Sequence, residues 1–448
     1  MNSYNYLFFF LCFFVLIVVM AWTTIRVCKF KSFDLIDVFA ISIAFYNGIV
    51  LPFIYFTIHD SHKYYNLVKT LDIDSLAWLY PVYSLVALLA VWLGGSLART
   101  NDKVGFCANF SDAIAVKRVF YVGFFFFITA LFLYWIYVFP YGGFIKYLDY
   151  SFTIRAGLFE EISHINRSYS FLRPFGSFAF FSTFIFFGLL LNYKNFKFKK
   201  FRIFIFFSIS TIFSIYVLYS WGGRLGLIKF IISLIFGYYL FRYGRSIKFT
   251  SKVLLPILII IILLPFSARI WGKNKGGNEF SSFIVNELSY PISTFTEAIV
   301  ANEYRYFKDL AAMPFFLLPE RVWSGLLNIK TVSQISTEKV VGVEKGVRGS
   351  TITVPVDFVS FGVMQAGIFG VFIVAFLTGY FVKKIDYCIL KIVPPGCMEV
   401  IYVYIAFNIP IQLVLYSDPK HVIYRNFSLI WGLIFLKLFC RPKSVKND

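Results

Sequence analysis

Arg224 stands at the head of an apolar run, directly behind Trp221, Gly222 and Gly223, in the stretch YSWGGRLGLIKF (219–230). Glycine permits positive φ and close backbone approach, so a very short turn here would hold a guanidinium at the mouth of two apolar runs. Such an arginine ordinarily snorkels toward water beside interfacial aromatics. Its chemical use would be to grip an anion at a membrane surface. Three other stretches share this character. YGGFIKYLDYSFTIRAGLFEEISHINRSY (141–169) sets Arg155 and Arg167 among Asp149, Glu160 and Glu161, a pattern that an interfacial amphipathic helix with solvated charges also gives. SARIWGKNKGG (267–277) carries Arg269, Lys273 and Lys275, and would equally be a helix end with a flexible exit. EKGVRGSTITVPVDFVSFGVMQAGIFG (344–370) places Arg348 between glycines, upstream of Pro355 and Asp357. It then runs into small residues of the kind that let helices approach closely in lipid.

The elements that must position these side chains follow from composition. The 448 residues are 59% hydrophobic and only 15% charged, against roughly 25% charged in a soluble domain. Mean hydropathy is +0.74. Apolar runs long enough for a bilayer, about 20 residues, recur near 5–23, 36–57, 75–97, 119–139, 174–192, 203–220, 225–241, 253–270, 358–382, 398–416 and 426–440. In lipid the backbone must satisfy itself, which leaves helices or closed barrels. Runs this long and continuously apolar are helices, since barrel strands alternate and are about half as long. The expected fold class is all-α, a polytopic bundle of about 11 spans. The first apolar run has no basic n-region and no small-residue cleavage site, and reads as a retained span.

The net charge of +20 reads as topology and gives no reason to expect nucleic acid. Arg26, Lys29 and Lys31 share one loop, and Arg99, Lys103, Lys117 and Arg118 share another; Lys194 to Arg202, Arg242 to Lys252, Lys383 to Lys391 and Arg441 to Lys446 follow. These alternate loops mark one side as cytoplasmic and the N-terminus as outside. Lys63, Lys69, Lys146, Arg155 and Arg167 lie on the other side. None of the six cysteines falls in an outer loop, so no disulfide framework is expected. The division along the chain is 1–270, eight spans with an outer loop at 140–173; 271–357, a long outer loop; and 358–448, three spans and a cytoplasmic tail. Loops beyond about 15 residues are usually functional or disordered. The long one holds AAMPFFLLPERVW and SSFIVNELSYPISTF, too apolar for a tether, so short packed helices are expected. There is no CxxC pair, HExxH, P-loop or GxSxG motif. His59 and His62 would need a third ligand to hold zinc.

In this order the motifs resemble the bacterial oligosaccharide repeat-unit polymerases, the Wzy-type O-antigen polymerases. The resemblance rests on the GGF…Y……R run from Gly142 to Arg155, the WGGRLGL turn, FFLLPERVW in the large loop, and the P…F…FG…GIFGVF segment. Span count and hydropathy extend it along nearly the whole chain. It implies a fold similar to integral-membrane glycosyltransferases that use lipid-phosphate donors. It also implies an activity on the outer face of the inner membrane: a growing glycan is transferred from undecaprenyl pyrophosphate onto a new lipid-linked repeat unit, and undecaprenyl pyrophosphate is released. A chain-length regulator and a repeat-unit flippase would be partners, beside the lipid-linked oligosaccharide and the bilayer. The donor carries its own leaving group, so no nucleotide pocket, cofactor or metal is expected.

Planar guanidinium forks suit the departing phosphate oxygens, and preplaced cations lower a barrier where charge develops. A carboxylate would take the acceptor's proton, with Asp149, Glu160, Glu161, Glu320 and Asp357 as candidates. The residues expected to act are Arg224, Arg155 and Arg348 with Asp357 and Glu161. Arg269, Arg321, Gly222, Gly223 and Arg167 would bind substrate. An O-antigen ligase shares the donor and the arginines and differs in acceptor. A flippase or other transporter would instead show inverted repeats, Gly/Pro-broken helices and charges deep in its spans.

Overall fold

A computed structural model of the protein describes residues 3–30, 34–57, 76–98, 113–159, 162–163, 165–192, 200–222, 224–244, 288–345, 347, 353–393 and 396–440. At a few helix ends, Arg224 and Arg321 included, it describes the backbone alone. Among the described residues there is no strand. Nine of their helices are long and apolar enough to cross a membrane, and the bent pair Pro419–Arg425 and Phe427–Phe439, at 57°, makes a tenth. The chain is a multi-pass helical membrane protein. The expected run at 253–270 lies outside the described residues, and the last expected run is the longer arm of the bent pair.

The chain gathers into two compact units, each drawn from separate stretches of sequence. The first takes Met1–Arg99, Arg245–Lys384 and Asn408–Val422, and the second takes Thr100–Gly244, Ile385–Phe407 and Ile423–Asp448. Proximity therefore cuts across the order along the chain.

In the first unit, glycines set the helix spacing. A Cβ added at Gly94 would lie 2.0 Å from the Phe376 carbonyl oxygen, and one at Gly379 would lie 2.1 Å from that of Val91. The Leu79–Leu97 helix and the long helix ending at Ile392 thus cross backbone to backbone, the use of small residues expected where lipid provides no hydrophobic drive between helices. Overpacking usually costs about 1–3 kcal/mol, and here the obstacle is backbone that cannot rotate away. Gly379→Val should therefore lower the yield of monodisperse protein and its melting temperature in detergent, whereas Gly325→Val, at a site with open space around it, should change neither.

One end of this unit is held by charge. Asp34 caps the Leu35–Phe45 helix through the Ile36 and Asp37 amides, and its carboxylate also receives Arg26 and the Lys383 ammonium, the latter at 2.6 Å. Burial works to raise the Asp34 pKa, but Lys383 and Arg26 override it and hold the carboxyl well below the usual range. Arg26 and Lys383 belong to two of the basic loops expected on one side, and here they meet at one carboxylate.

The segment entering the Phe358–Ile392 helix departs from a plain span. The backbone leaves helical geometry at Ala366 and Gly367, where Gly367 has φ +60°. A Cβ at Gly370 would lie 2.2 Å from the Gly362 oxygen, and one at Gly362 would lie 2.6 Å from the Val371 Cα. Eight residues of straight helix would separate those positions by about 12 Å. The chain therefore runs as a short helix over 358–365, reverses, and returns as the long helix 368–392. A single continuous span over 358–382 is corrected to this hairpin. The exposed carbonyls of the short arm are not wasted: Met364 and Gln365 accept from the Arg305 and Tyr306 amides, both at 2.9 Å.

The long loop folds as expected where it is described, into short helices at Tyr290–Ala301, Glu320–Leu327 and Val332–Val341. Tyr290, Val340 and Val354 form a small core with Leu415 and Tyr416 against it. Asp418 accepts from the Ser333 amide at 3.0 Å, and Lys420 lies 5.0 Å from the Trp323 ring.

The second unit is built on phenylalanine. Phe126 stacks against Phe178, Phe181 and Phe435, and Phe186 against Phe120 and Phe206. Rings of this size fill the space between helices in edge and tilted arrangements. Gly188 and Gly237 let the Cys397–Ala406 helix pack close, since an added Cβ would fall 2.4 Å from the Cys397 backbone or 2.8 Å from the Val400 Cα.

Candidate functional site

In the second unit, two of the sequence motifs converge on one turn. Trp221 and Gly222 end the Lys200–Ser220 helix, and the next helix begins at Arg224. Gly222 sits at φ +64°, where an L side chain is strained. The segment after the Ala113–Val138 helix turns on Gly142 and Gly143, both at positive φ, and forms the Phe144–Ala156 helix. That helix buries Tyr147, Ile154 and Ala156 and leaves Ile145 and Phe152 exposed, a surface suited to a membrane interface. Its last turn carries Arg155, whose Nη1 donates to the Gly222 carbonyl. A Cβ at Gly222 would lie 2.9 Å from the Arg155 Cδ. Gly222 is therefore required twice, for its own φ and for the approach of Arg155.

Arg173 reaches the same turn from the opposite flank of this segment. It lies in the 3₁₀ stretch Ser170–Ser177 that leads into the next span, with its guanidinium 5.7 Å from the Trp221 ring. The tyrosines 134, 137, 147 and 424 are its electrostatic neighbours. Three of them are locked in place. Tyr137 and Tyr147 share a hydrogen bond of 2.8 Å, and Tyr134 and Ser220 share one of 2.7 Å. The sequence reading placed Arg173 just outside an apolar run and passed over it. The signal was there: SFLRPFG puts an ionisable residue within the apolar helical stretch Ser170–Leu191, and such a residue is by default a site hypothesis.

Arg167 interacts electrostatically with Tyr141, as Arg173 does. Its guanidinium covers the Phe159 ring at 4.4 Å, which is the stacking use of arginine. Arg348, Arg269, Gly223 and Glu161 lie outside the described residues. Arg224 is placed as the first residue of its helix and Arg321 as the second of the Glu320–Leu327 helix, and only their backbones are described.

Asp357 belongs to the first unit. It is fully buried and caps the short arm of the hairpin, accepting from the Val359 and Ser360 amides at 3.0 and 3.3 Å. The same carboxylate accepts from the Tyr80 hydroxyl at 2.9 Å, from Thr294 at 3.2 Å and from Ser360. These bonds tie three helices together, so its geometry is that of a structural cap. In the same unit, Tyr83, Asn302, Tyr304, Gly367 and Phe369 line a cavity of about 450 Å³ at the tip of the hairpin. A second buried acid, Asp309, pairs with Arg305 at 2.5 Å and accepts from Gln365 at 3.0 Å, bracing the 302–309 segment that caps the hairpin.

No protein-family model, no curated protein and no solved structure matches the chain.

Proposed function

We propose that the protein is a surface-polysaccharide polymerase of the bacterial inner membrane. It would join undecaprenyl-pyrophosphate-linked oligosaccharide repeat units on the periplasmic face, with its N-terminus periplasmic and its C-terminus cytoplasmic. The observation that carries this reading is the contact between Arg155 and Gly222. The Gly142-to-Arg155 run and the WGGR turn are two of the motifs behind the resemblance, and they are 67 residues apart in sequence yet bonded. A guanidinium fixed at a tight turn beside an interfacial helix is placed to meet a phosphate headgroup. In the reaction, the acceptor's hydroxyl oxygen attacks the anomeric carbon of the donor and the bond from that carbon to the pyrophosphate oxygen breaks. The proton passes to a carboxylate, and the negative charge grows on the leaving pyrophosphate, where preplaced cations lower the barrier.

The test is direct. Protein purified into nanodiscs and given synthetic lipid-linked repeat units should yield a ladder of lengthened glycans. A product formed only when lipid A core is supplied would make the protein a ligase. In cells, loss of the gene should leave surface glycan one repeat unit long, while loss of a ligase would leave the core bare.

One observation favours a second class. The break at Ala366 and Gly367 is the kind of interrupted helix a transporter uses. A transporter would move labelled lipid-linked glycan across a proteoliposome bilayer without lengthening it; a polymerase would lengthen it on one side. The sequence shows no inverted repeat, and the charges gather at span ends, which keeps the polymerase reading first.

A further inference from the structure

Arg173 carries a charge that no described carboxylate balances. It makes no hydrogen bond and no ion pair among the described residues: its contacts are the Trp221 ring and the tyrosine hydroxyls around it. Its Nε and the indole Nε1 of Trp221 are both buried donors without an acceptor. Neutral hydroxyls do not neutralise a guanidinium, and a cation held in an apolar helical layer is ordinarily paired. Two more basic residues belong to the same unit. Lys229 is buried in the adjoining helix and interacts with the charge of Arg425. The two are linked to the turn through rings: Phe230, next to Lys229, lies 5.9 Å from Phe180, which lies 5.8 Å from Trp221. Tyr424, next to Arg425, lies 6.5 Å from Trp221. Arg155 bonds to Gly222 of the turn itself. Two guanidinium groups, of Arg155 and Arg173, therefore meet the Trp221–Gly222 turn, and among the described residues no carboxylate pairs with Arg173.

We infer that Arg173, over Trp221, is a binding residue for a pyrophosphate oxyanion. The ligand supplies the counter-charge that the described residues do not. Two guanidinium groups at one turn suit a multiply charged group better than a carboxylate. A guanidinium is the side chain whose planar fork can take two phosphate oxygens at once. The Tyr137–Tyr147 and Tyr134–Ser220 hydrogen bonds order the rings beside it before the ligand arrives, so less ordering is lost on binding. Aromatic rings on the same wall suit the apolar chain of a prenyl carrier. Identifying the anion as the carrier's pyrophosphate rests on the polymerase reading; the existence of an oxyanion site at Arg173 does not.

The test measures binding, apart from polymer formation. Wild-type protein, Arg173→Gln and Arg173→Lys, each in nanodiscs, are titrated with geranylgeranyl pyrophosphate and separately with inorganic pyrophosphate, and the ligand-induced rise in melting temperature is read beside the Kd. Geranylgeranyl pyrophosphate should bind the wild type, and both variants should bind about 10- to 100-fold more weakly, since a hydrogen bond to a charged group has that order of value. The melting temperature of the variants should no longer rise with ligand. Tighter binding of the prenyl compound than of inorganic pyrophosphate assigns the site to the lipid carrier; equal binding assigns it to the free anion, and both outcomes uphold Arg173 as the oxyanion residue. Equal affinity in the wild type and both variants, or no binding by the wild type, overturns it. Should Arg173→Gln fail to fold, Arg173→Lys keeps the charge and decides the matter. If binding depends on Arg173 while no polymer forms from lipid-linked repeat units, the polymerase reading falls and the site stands.

Discussion

Arg155→Lys should lower polymer formation per molecule by about 100- to 1000-fold, the usual cost of losing one donor aimed at developing charge. The side chain does two things at once. Its Nη1 is committed to the Gly222 carbonyl, and the planar fork is set by that bond. A lysine ammonium is a point charge on a flexible stem; it can neutralise but it cannot fix a plane. Gly222→Ala should act through the same contact. Its added Cβ would meet the Arg155 Cδ at 2.9 Å, and the positive φ costs a non-glycine residue roughly 1–2 kcal/mol. The assay is glycan lengthening from lipid-linked repeat units in nanodiscs, normalised to folded protein by gel filtration. The proposal predicts that Arg155→Lys folds like the wild type and loses rate. Full rate in both Arg155→Lys and Arg155→Ala would leave Arg155 a strut for the turn and take away the main support for the polymerase reading.

Asp357→Ala should destabilise the first unit by about 2–4 kcal/mol. A lost helix cap costs about 1 kcal/mol, and each buried hydroxyl left without an acceptor adds about 1–3 kcal/mol. Of its hydroxyl donors, Thr294 and Ser360 also reach the Tyr290 or Pro291 carbonyls, so Tyr80 is the described hydroxyl that loses its acceptor. Asp357→Asn should cost less, because an amide oxygen can still cap the Val359 and Ser360 amides. The same residue gives the protein a pH dependence. Burial pushes the Asp357 carboxyl up to about 6, against hydrogen bonds from Ser360, Tyr80 and the backbone amides that work to lower it. A folded state that holds its proton more tightly than the unfolded chain is favoured in acid. The contribution is full below the ordinary aspartate value near 4 and is lost as pH rises through about 6. At about 1.4 kcal/mol per unit, the window amounts to roughly 3 kcal/mol. Thermal unfolding in detergent should show the wild type melting higher at pH 5 than at pH 7, with that slope reduced in Asp357→Asn. Equal slopes in the two proteins would show that Asp357 does not titrate in this range.

The legible part of the fold was the part that depends on residues near each other in sequence. Apolar runs of bilayer length have only one economical backbone solution in lipid, so spans such as Lys200–Ser220 and Leu79–Leu97 could be drawn from hydropathy. Capping and turn residues are equally local: the glycine pair at 142 and 143 announced the turn it makes. The WGGR turn was read as a place where a guanidinium would be held. The structure bonds a guanidinium there from another segment, Arg155, while the Arg224 side chain lies outside the description.

The remainder was decided by helices meeting. Nothing in FGVMQAGIFG distinguishes a continuous span from a hairpin, since both hide the same apolar residues; the reversal at Gly367 exists because Gly362 and Gly370 can lie against each other and because the 305–306 amides cap the open end of the short arm. Asp357 looked like a base because a carboxylate near a span has few other evident uses. Its cap on the Val359 and Ser360 amides is local, while its bonds to Tyr80 and Thr294 come from two distant stretches of chain. Arg173 carried a sequence signal, yet its standing depends on which groups the described residues bring to it, and that is a property of packed helices. Hydropathy is summed along the chain, so it determined which segments enter the membrane; electrostatic balance and close approach are settled across the chain, and only the packed structure decides them.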